Sequence, residues 1–286
     1  MSLWFKGMSR IGKRFEELRQ RQDLGLVAYI TAGDPDLRAT AEFIPALEEA
    51  GVDVLELGVP FSDPLADGPV IQRASQRALA SGTTLAGVLE MAAQARGRSR
   101  LPLLLFGYLN PILRYGFDRF AADARRAGID GVLITDLSIE EADAYIGPMR
   151  QAELDTVFLA APTSTEVRLR RICEASRGFV YAVSRTGVTG AQQALSGQLL
   201  PLLQRLRAAS SLPVAAGFGI SRPEHIRELR GHADAAVVGS ALVRVVEEHR
   251  SAERLAALAA ELKQAGRREG VQGPGSKVQG RIDAGS

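Results

Sequence analysis

The sequence predicts an α/β protein: a (β/α)8 barrel with an additional helix before the first strand and additional helices after the second and eighth strands. Three observations lead there. Short apolar runs alternate with amphipathic segments from residue 26 to residue 265, and eight such units in about 250 residues is the size of a barrel. The helix-to-strand returns repeat. Ala50-Gly51-Val52-Asp53 and Ala127-Gly128-Ile129-Asp130 each put a glycine past a helix end and an aspartate at a strand opening, and His232-Ala233-Asp234 echoes them. Finally, 46% of the 286 residues are apolar, enough for a full core. A doubly wound open sheet is the alternative that alternation alone leaves standing.

Residues 1–8 read as a leader, disordered or added ahead of the natural start, because a second methionine, Met8, directly precedes the first periodic segment. Gly7 to Arg14 nearly spells a phosphate loop around Gly12-Lys13. It fails because no strand precedes it and Arg14 stands where a hydroxyl is needed. Ser9 instead caps a helix whose apolar face is Ile11, Phe15 and Leu18. Strands are expected at 26–30, 53–58, 101–106, 129–135, 156–160, 179–183, 213–216 and 235–238. Helices are expected at 36–50, 69–81, 84–96, 117–127, 139–152, 165–176, 197–209, 222–230, 240–249 and 251–265. The barrel domain thus spans 9–263. Residues 264–286, poor in large apolar side chains, are expected to be a disordered tail.

The charge is +2, from 35 basic and 33 acidic residues, too balanced to suggest nucleic acid as a partner. No apolar run reaches the length that spans a bilayer, and no secretory leader stands out. One cysteine, Cys173, excludes an internal disulfide and a cysteine-only metal site. A cytoplasmic location is the simplest expectation.

In a barrel, function gathers where strands end. After the second strand comes Val54-Leu55-Glu56-Leu57-Gly58-Val59-Pro60-Phe61-Ser62-Asp63-Pro64-Leu65-Ala66-Asp67-Gly68-Pro69. A carboxylate inside an apolar strand must be paired, neutralised or put to use. Glu56 and Asp67 can be an acid/base pair; equally, Glu56 can be a satisfied interior residue and Asp67 a turn residue before Gly68. Asp63, before Pro64, reads as a turn-maker. After the sixth strand, Ser184-Arg185-Thr186-Gly187-Val188-Thr189-Gly190 can approach a ligand or act as a lid, or be an ordinary loop. Gly217-Phe218-Gly219-Ile220-Ser221 and Gly239-Ser240 follow the last two strands and each opens a helix, the usual place for a phosphate in a barrel. His225, His232 and His249 lack metal-ligand spacing and read as surface residues. Cys173 reads as a buried structural thiol, and the Arg96-Arg98-Arg100 and Arg168-Arg170-Arg171 groups as solvated helix ends. From the residues alone, the expectation is a barrel without metal or cofactor that acts on a phosphorylated small molecule by carboxylate chemistry.

Glu56 to Pro69, together with Thr31-Ala32-Gly33-Asp34-Pro35, Gly187-Val188-Thr189-Gly190, Gly217-Phe218-Gly219-Ile220 and Gly239-Ser240, resembles the tryptophan synthase alpha subunit family from about Ser9 to Lys263. The resemblance implies a TIM barrel that cleaves indole-3-glycerol phosphate to indole and glyceraldehyde 3-phosphate. It implies Glu56 as the proton relay and Asp67 as the group that polarises the indole N–H. Amides of Gly190, Gly219, Gly239 and Ser240 would hold the phosphate. Tyr29 and Phe218 would flank the indole, Tyr181 would sit near the glycerol and Glu56, and Thr189 would contact Asp67 on loop closure. It further implies an alpha2-beta2 complex with a pyridoxal-phosphate-dependent beta subunit, docked on the 60–67 loop and the Asn110-Pro111 region, with no cofactor on this chain. A free-standing indole-releasing lyase and a mainly regulatory partner of the beta subunit are the alternatives. Asp136-Leu137-Ser138 and Gly107-Tyr108-Leu109 depart from the family pattern.

Overall fold

Ser9 starts helix α1 (Arg10–Arg21) by accepting the Gly12 amide with its hydroxyl. The computed structural model describes residues 8–183, 197–217 and 219–268. Residues 1–7 and 269–286 lie outside it. Ile11, Phe15 and Leu18 of α1 join one buried cluster with Val27, Val54, Leu104, Leu133, Val157 and Phe179. The amphipathic face of α1 therefore plugs the lower end of the barrel.

The strands are β1 (Gly25–Thr31), β2 (Val54–Gly58), β3 (Leu103–Gly107), β4 (Gly131–Ile134), β5 (Asp155–Val157), β6 (Leu159–Ala160), β7 (Val180–Val183), β8 (Val214–Gly217) and β9 (Ala235–Val238). Every pairing is parallel, in the order β5-β4-β3-β2-β1-β9-β8-β7-β6. The eight expected strands appear as nine segments because the fifth is interrupted at Phe158. Its first part pairs with β4, its second with β7, and the Tyr181 amide donates to the Phe158 carbonyl at 3.2 Å. One stretch of chain thus joins the two ends of the sheet. Alternate strand residues point in and out. Leu26, Ala28, Ile30, Leu55, Leu57, Leu103 and Leu105 belong to the outer core under the helices, which is why the strands read as continuous apolar runs.

The helices are α2 (Leu37–Glu49), α3 (Pro69–Ala80), α4 (Leu85–Ala95), α5 (Leu109–Tyr115), α6 (Phe117–Arg126), α7 (Asp143–Gln151), α8 (Glu166–Ala175), α9 (Leu199–Ala209), α10 (Pro223–Leu229), α11 (Ser240–His249) and α12 (Ala252–Gly266). Helix α5 is unforeseen. Asn110-Pro111 looks like a turn, but Pro111 sits in the first helical turn, where its missing N–H costs nothing. Helix α12 runs to Gly266, whose carbonyl accepts the Leu24 amide at 2.9 Å. No helix among the described residues is long and apolar enough to cross a membrane.

The repeated aspartates have a common task at the lower end. Asp53, Asp130 and Asp234 accept the amides of Leu26, Leu103 and Val214 at 2.7, 2.9 and 2.8 Å, each at the start of the neighbouring strand. Asp53 also holds Lys263 at 2.6 Å. Asp130 holds Arg96 at 2.8 Å and Arg10 at 2.7 Å. Arg96 is accordingly not a solvated helix end. It is largely buried because the buried Asp130 carboxylate needs a counter-charge, and it also donates to the carbonyls of Gly128 and Leu101. Arg98 and Arg100 are exposed as expected.

Candidate active site

Glu56 sits in the middle of β2, paired with Tyr29 of β1 and Leu104 of β3. Leu55 and Leu57 face the outer core, so Glu56 faces the barrel interior on the same side as Val54. It is 1% exposed, and its Oε1 has no hydrogen-bond partner among the described residues. Burial pushes its carboxyl up to about 8. One oxygen of this buried carboxyl thus has no protein partner among the described residues, unlike a glutamate satisfied on both oxygens.

Two tyrosines stand beside it. Tyr29 and Tyr181 are buried inside the barrel, and each hydroxyl fills space that a glycine leaves open. A Cβ built on Gly58 would collide with the Tyr29 hydroxyl, and one on Gly217 with that of Tyr181. The Tyr29 ring lies edge-on to Phe106 at 5.2 Å and packs with Ala74 and Val243. Burial raises the Tyr29 hydroxyl, and the charges of Asp67 and Glu56 raise it further. Burial followed by the Glu56 charge does the same to Tyr181. Tyr29 therefore senses both candidate acids.

Asp67 arrives on the loop after β2. Its amide donates to the Pro64 carbonyl at 3.1 Å, and Gln72 donates to its carbonyl at 2.9 Å. Burial raises the Asp67 carboxyl to about 6, against a lowering hydrogen bond from the Tyr108 hydroxyl. Tyr108 also accepts the Ala66 amide at 3.0 Å and stacks at 5.1 Å with Phe61. Asp63 is exposed, and its carbonyl accepts the Leu65 amide, as suits a turn residue.

At the other side of Tyr29, α11 begins. A Cβ on Gly239 would meet the Tyr29 Cβ at 3.5 Å and its ring at 3.6 Å. No side chain among the described residues caps α11, which leaves its first-turn amides and their partial positive charge available to an anion. Gly219 adopts φ +73°, with open space where a side chain would be. No helix opens at Gly219: α10 starts only at Pro223, so any anion contact at Gly219 comes from a loop amide. Thr189, Gly190 and Phe218 lie outside the described residues, as do the other residues of 184–196. Among the described residues no cluster of three or more His, Cys, Asp or Glu could hold a metal. Cys173 is buried, and His225 accepts the Ser221 amide at 3.4 Å.

Residues 15–271 match the family model described as tryptophan synthase alpha chain. The chain belongs to that family. A tryptophan synthase alpha chain of Solibacter usitatus is 57% identical over 242 residues, covering 85% of this chain and 91% of the relative. One from Geobacter sulfurreducens is 50% identical over 246 residues, covering 86% and 93%. A crystal structure of tryptophan synthase from M. tuberculosis, in an aminoacrylate- and BRD0059-bound form, superposes with a TM-score of 0.84 at 37% identity, covering 92% of this chain and 100% of that one. The tryptophan synthase subunit alpha of Legionella pneumophila gives 0.83 at 38% identity, covering 90% and 98%. Membership in the tryptophan synthase alpha family makes this chain a lyase of tryptophan biosynthesis.

Of the residues that the sequence singles out, the structure brings Glu56, Asp67, Tyr181 and Gly239 around Tyr29. Sequence reasoning names Gly58, Gly217 and Tyr108 but misses what they do: the two glycines make room for tyrosine hydroxyls, and Tyr108 reaches the Asp67 loop. Tyr108 follows a strand end, which is a positional hint. The two glycines end strands where a β-former is expected, a signal for close approach.

Proposed function

We propose that Glu56 and Asp67 cleave indole-3-glycerol phosphate to indole and glyceraldehyde 3-phosphate by acid/base chemistry. The supporting observation is the division between the two acids: at pH 7 a carboxyl near 8 keeps its proton, while one near 6 is ionised. Asp67 accepts a hydrogen bond from the indole N–H and makes the ring more electron-rich. Glu56 gives its proton to the ring carbon at the scissile bond, which turns a poor carbanion leaving group into neutral indole. The carbon–carbon bond breaks as the adjacent glycerol hydroxyl becomes an aldehyde. Its proton returns to the Glu56 carboxylate, so the enzyme ends as it began. Tyr29 flanks the indole and Tyr181 the glycerol. The family resemblance gives the phosphate to amides of Gly190, Gly219, Gly239 and Ser240 and the indole face to Phe218 beside Tyr29. Gly190, Phe218 and Thr189, the residue that the resemblance sets against Asp67, lie outside the described residues.

The chain works with a beta subunit that holds pyridoxal phosphate. Leu65 on the 60–67 loop is 94% exposed and Leu113 on α5 is 55% exposed, and apolar side chains presented this way suit a partner surface. A cytoplasmic setting fits the lone buried thiol. Indole release from indole-3-glycerol phosphate, measured with and without a beta subunit, tests the whole reading. Release should be slow alone and much faster in the complex, and Glu56→Gln should abolish it while the barrel stays folded. Normal turnover by that variant would defeat the mechanism.

A further inference from the structure

Four charged residues form a cluster that the proposed chemistry does not use. Arg77 donates through Nε and Nη2 to the two oxygens of Asp34, at 2.8 and 2.7 Å, and through Nη1 to Glu247 at 2.8 Å. Arg73, one turn earlier on the same face of α3, donates through Nε and Nη2 to Glu247 at 2.8 and 2.9 Å. Asp34 is buried, and Arg77 and Glu247 are about three-quarters covered. The hydrogen bond from Arg73 and the charges of both arginines hold Glu247 down at about 2, so Glu247 is ionised at neutral pH.

Its placement is informative. Helix α3 begins at Pro69, immediately after Asp67 and Gly68, and Gln72 in its first turn holds the Asp67 carbonyl. Glu247 lies two turns along α11 from Ser240, at the end that the functional reading gives to the phosphate. Asp34 follows β1, the strand that carries Tyr29. We propose that Arg73, Arg77 and Glu247 are positioning residues that clamp α3 to α11 and so set the separation between Asp67 and the phosphate end of the site. The inference rests on the functional reading above.

Apolar packing alone lets two helices slide, because it is non-directional. Arginine–carboxylate forks fix both distance and angle. A substrate gripped at both ends feels a helix shift of an ångström in its reactive geometry; a ligand held at one end does not.

Glu247→Gln in the full-length chain is the test, with Arg73→Lys as a milder variant that keeps charge but loses the fork. Three quantities are read for each: kcat/KM for indole-3-glycerol phosphate, the Kd of indole alone and the Kd of inorganic phosphate alone. Thermal stability is followed in parallel. The expected result for Glu247→Gln is a fall in kcat/KM of about tenfold or more, with both single-ended Kd values within about twofold of the parent. Arg73→Lys should show the same pattern in smaller measure. An unchanged kcat/KM overturns the proposal, and so does a joint loss of kcat/KM, both affinities and stability. Asp67→Asn separates this from the functional reading. If that variant turns over normally the reading of the site has failed; if it is inactive while Glu247→Gln is normal, only the clamp has failed.

Discussion

Glu56 holds its proton near neutral pH because it faces the barrel interior with one carboxyl oxygen unpartnered among the described residues, and burial disfavours the anion. Asp67 differs because the Tyr108 hydroxyl stabilises its charged form and partly offsets burial. The reaction needs Glu56 protonated and Asp67 ionised. Activity should therefore be lost as pH falls through about 6 and again as it rises through about 8, a bell in kcat/KM. Tyr108→Phe removes the lowering hydrogen bond. It should move the acidic limb to higher pH and leave the basic limb in place. An acidic limb unmoved in that variant, read from a full pH–rate profile, would dissociate Tyr108 from Asp67.

At the scale of elements, β2 positions the chemistry by what it omits as much as by what it carries. Gly58 ends the strand so that the Tyr29 hydroxyl can occupy the space of a side chain. Tyr29 has little room to yield, since its ring is 5% exposed and packed against Phe106, Val243 and Gly239. Gly58→Ala should cost about 1–3 kcal/mol by overpacking, measured by urea unfolding, and should lower cleavage further than stability explains. An alanine variant with parental stability and rate would show that the gap is not needed. Elements were legible from the sequence to the extent that their signals are local. The Ser9 cap, the apolar face of α1 and the glycine returns at Gly51 and Gly128 all appear where expected. Helix α5 was hidden because Pro111 reads as a breaker unless its place in the first turn is known. The break at Phe158 was hidden because it arises from pairing to β4 on one side and β7 on the other.

The molecule as a whole divides into two ends. The lower end, plugged by α1, is bound by buried ion pairs, while the upper end carries the acids and the amides. Asp53 and Lys263, 210 positions apart, meet at 2.6 Å with side chains 5% and 8% exposed. Replacing Lys263 by Met leaves the buried Asp53 with Arg14, at the longer distance of 3.4 Å, as its counter-charge and should cost about 3 kcal/mol. Equilibrium denaturation should show that loss, and KM should stay at its parental value below the new melting range, because stability and chemistry occupy opposite ends. A changed KM with unchanged stability would contradict this division.

By itself, the sequence determined the alternation of strands and helices, the glutamate inside an apolar strand, the glycine turn before α11 and the family to which these belong. Each is written in residues that are neighbours along the chain, where period, turn chemistry and motif spacing act. Only the tertiary structure decided that Oε1 of Glu56 has no partner among the described residues, that Tyr108 reaches the Asp67 loop, that Tyr29 fits the gap of Gly58, and that Arg96 is buried on Asp130. Those outcomes depend on desolvation and on contacts between segments far apart in sequence, and neither exists until the barrel closes.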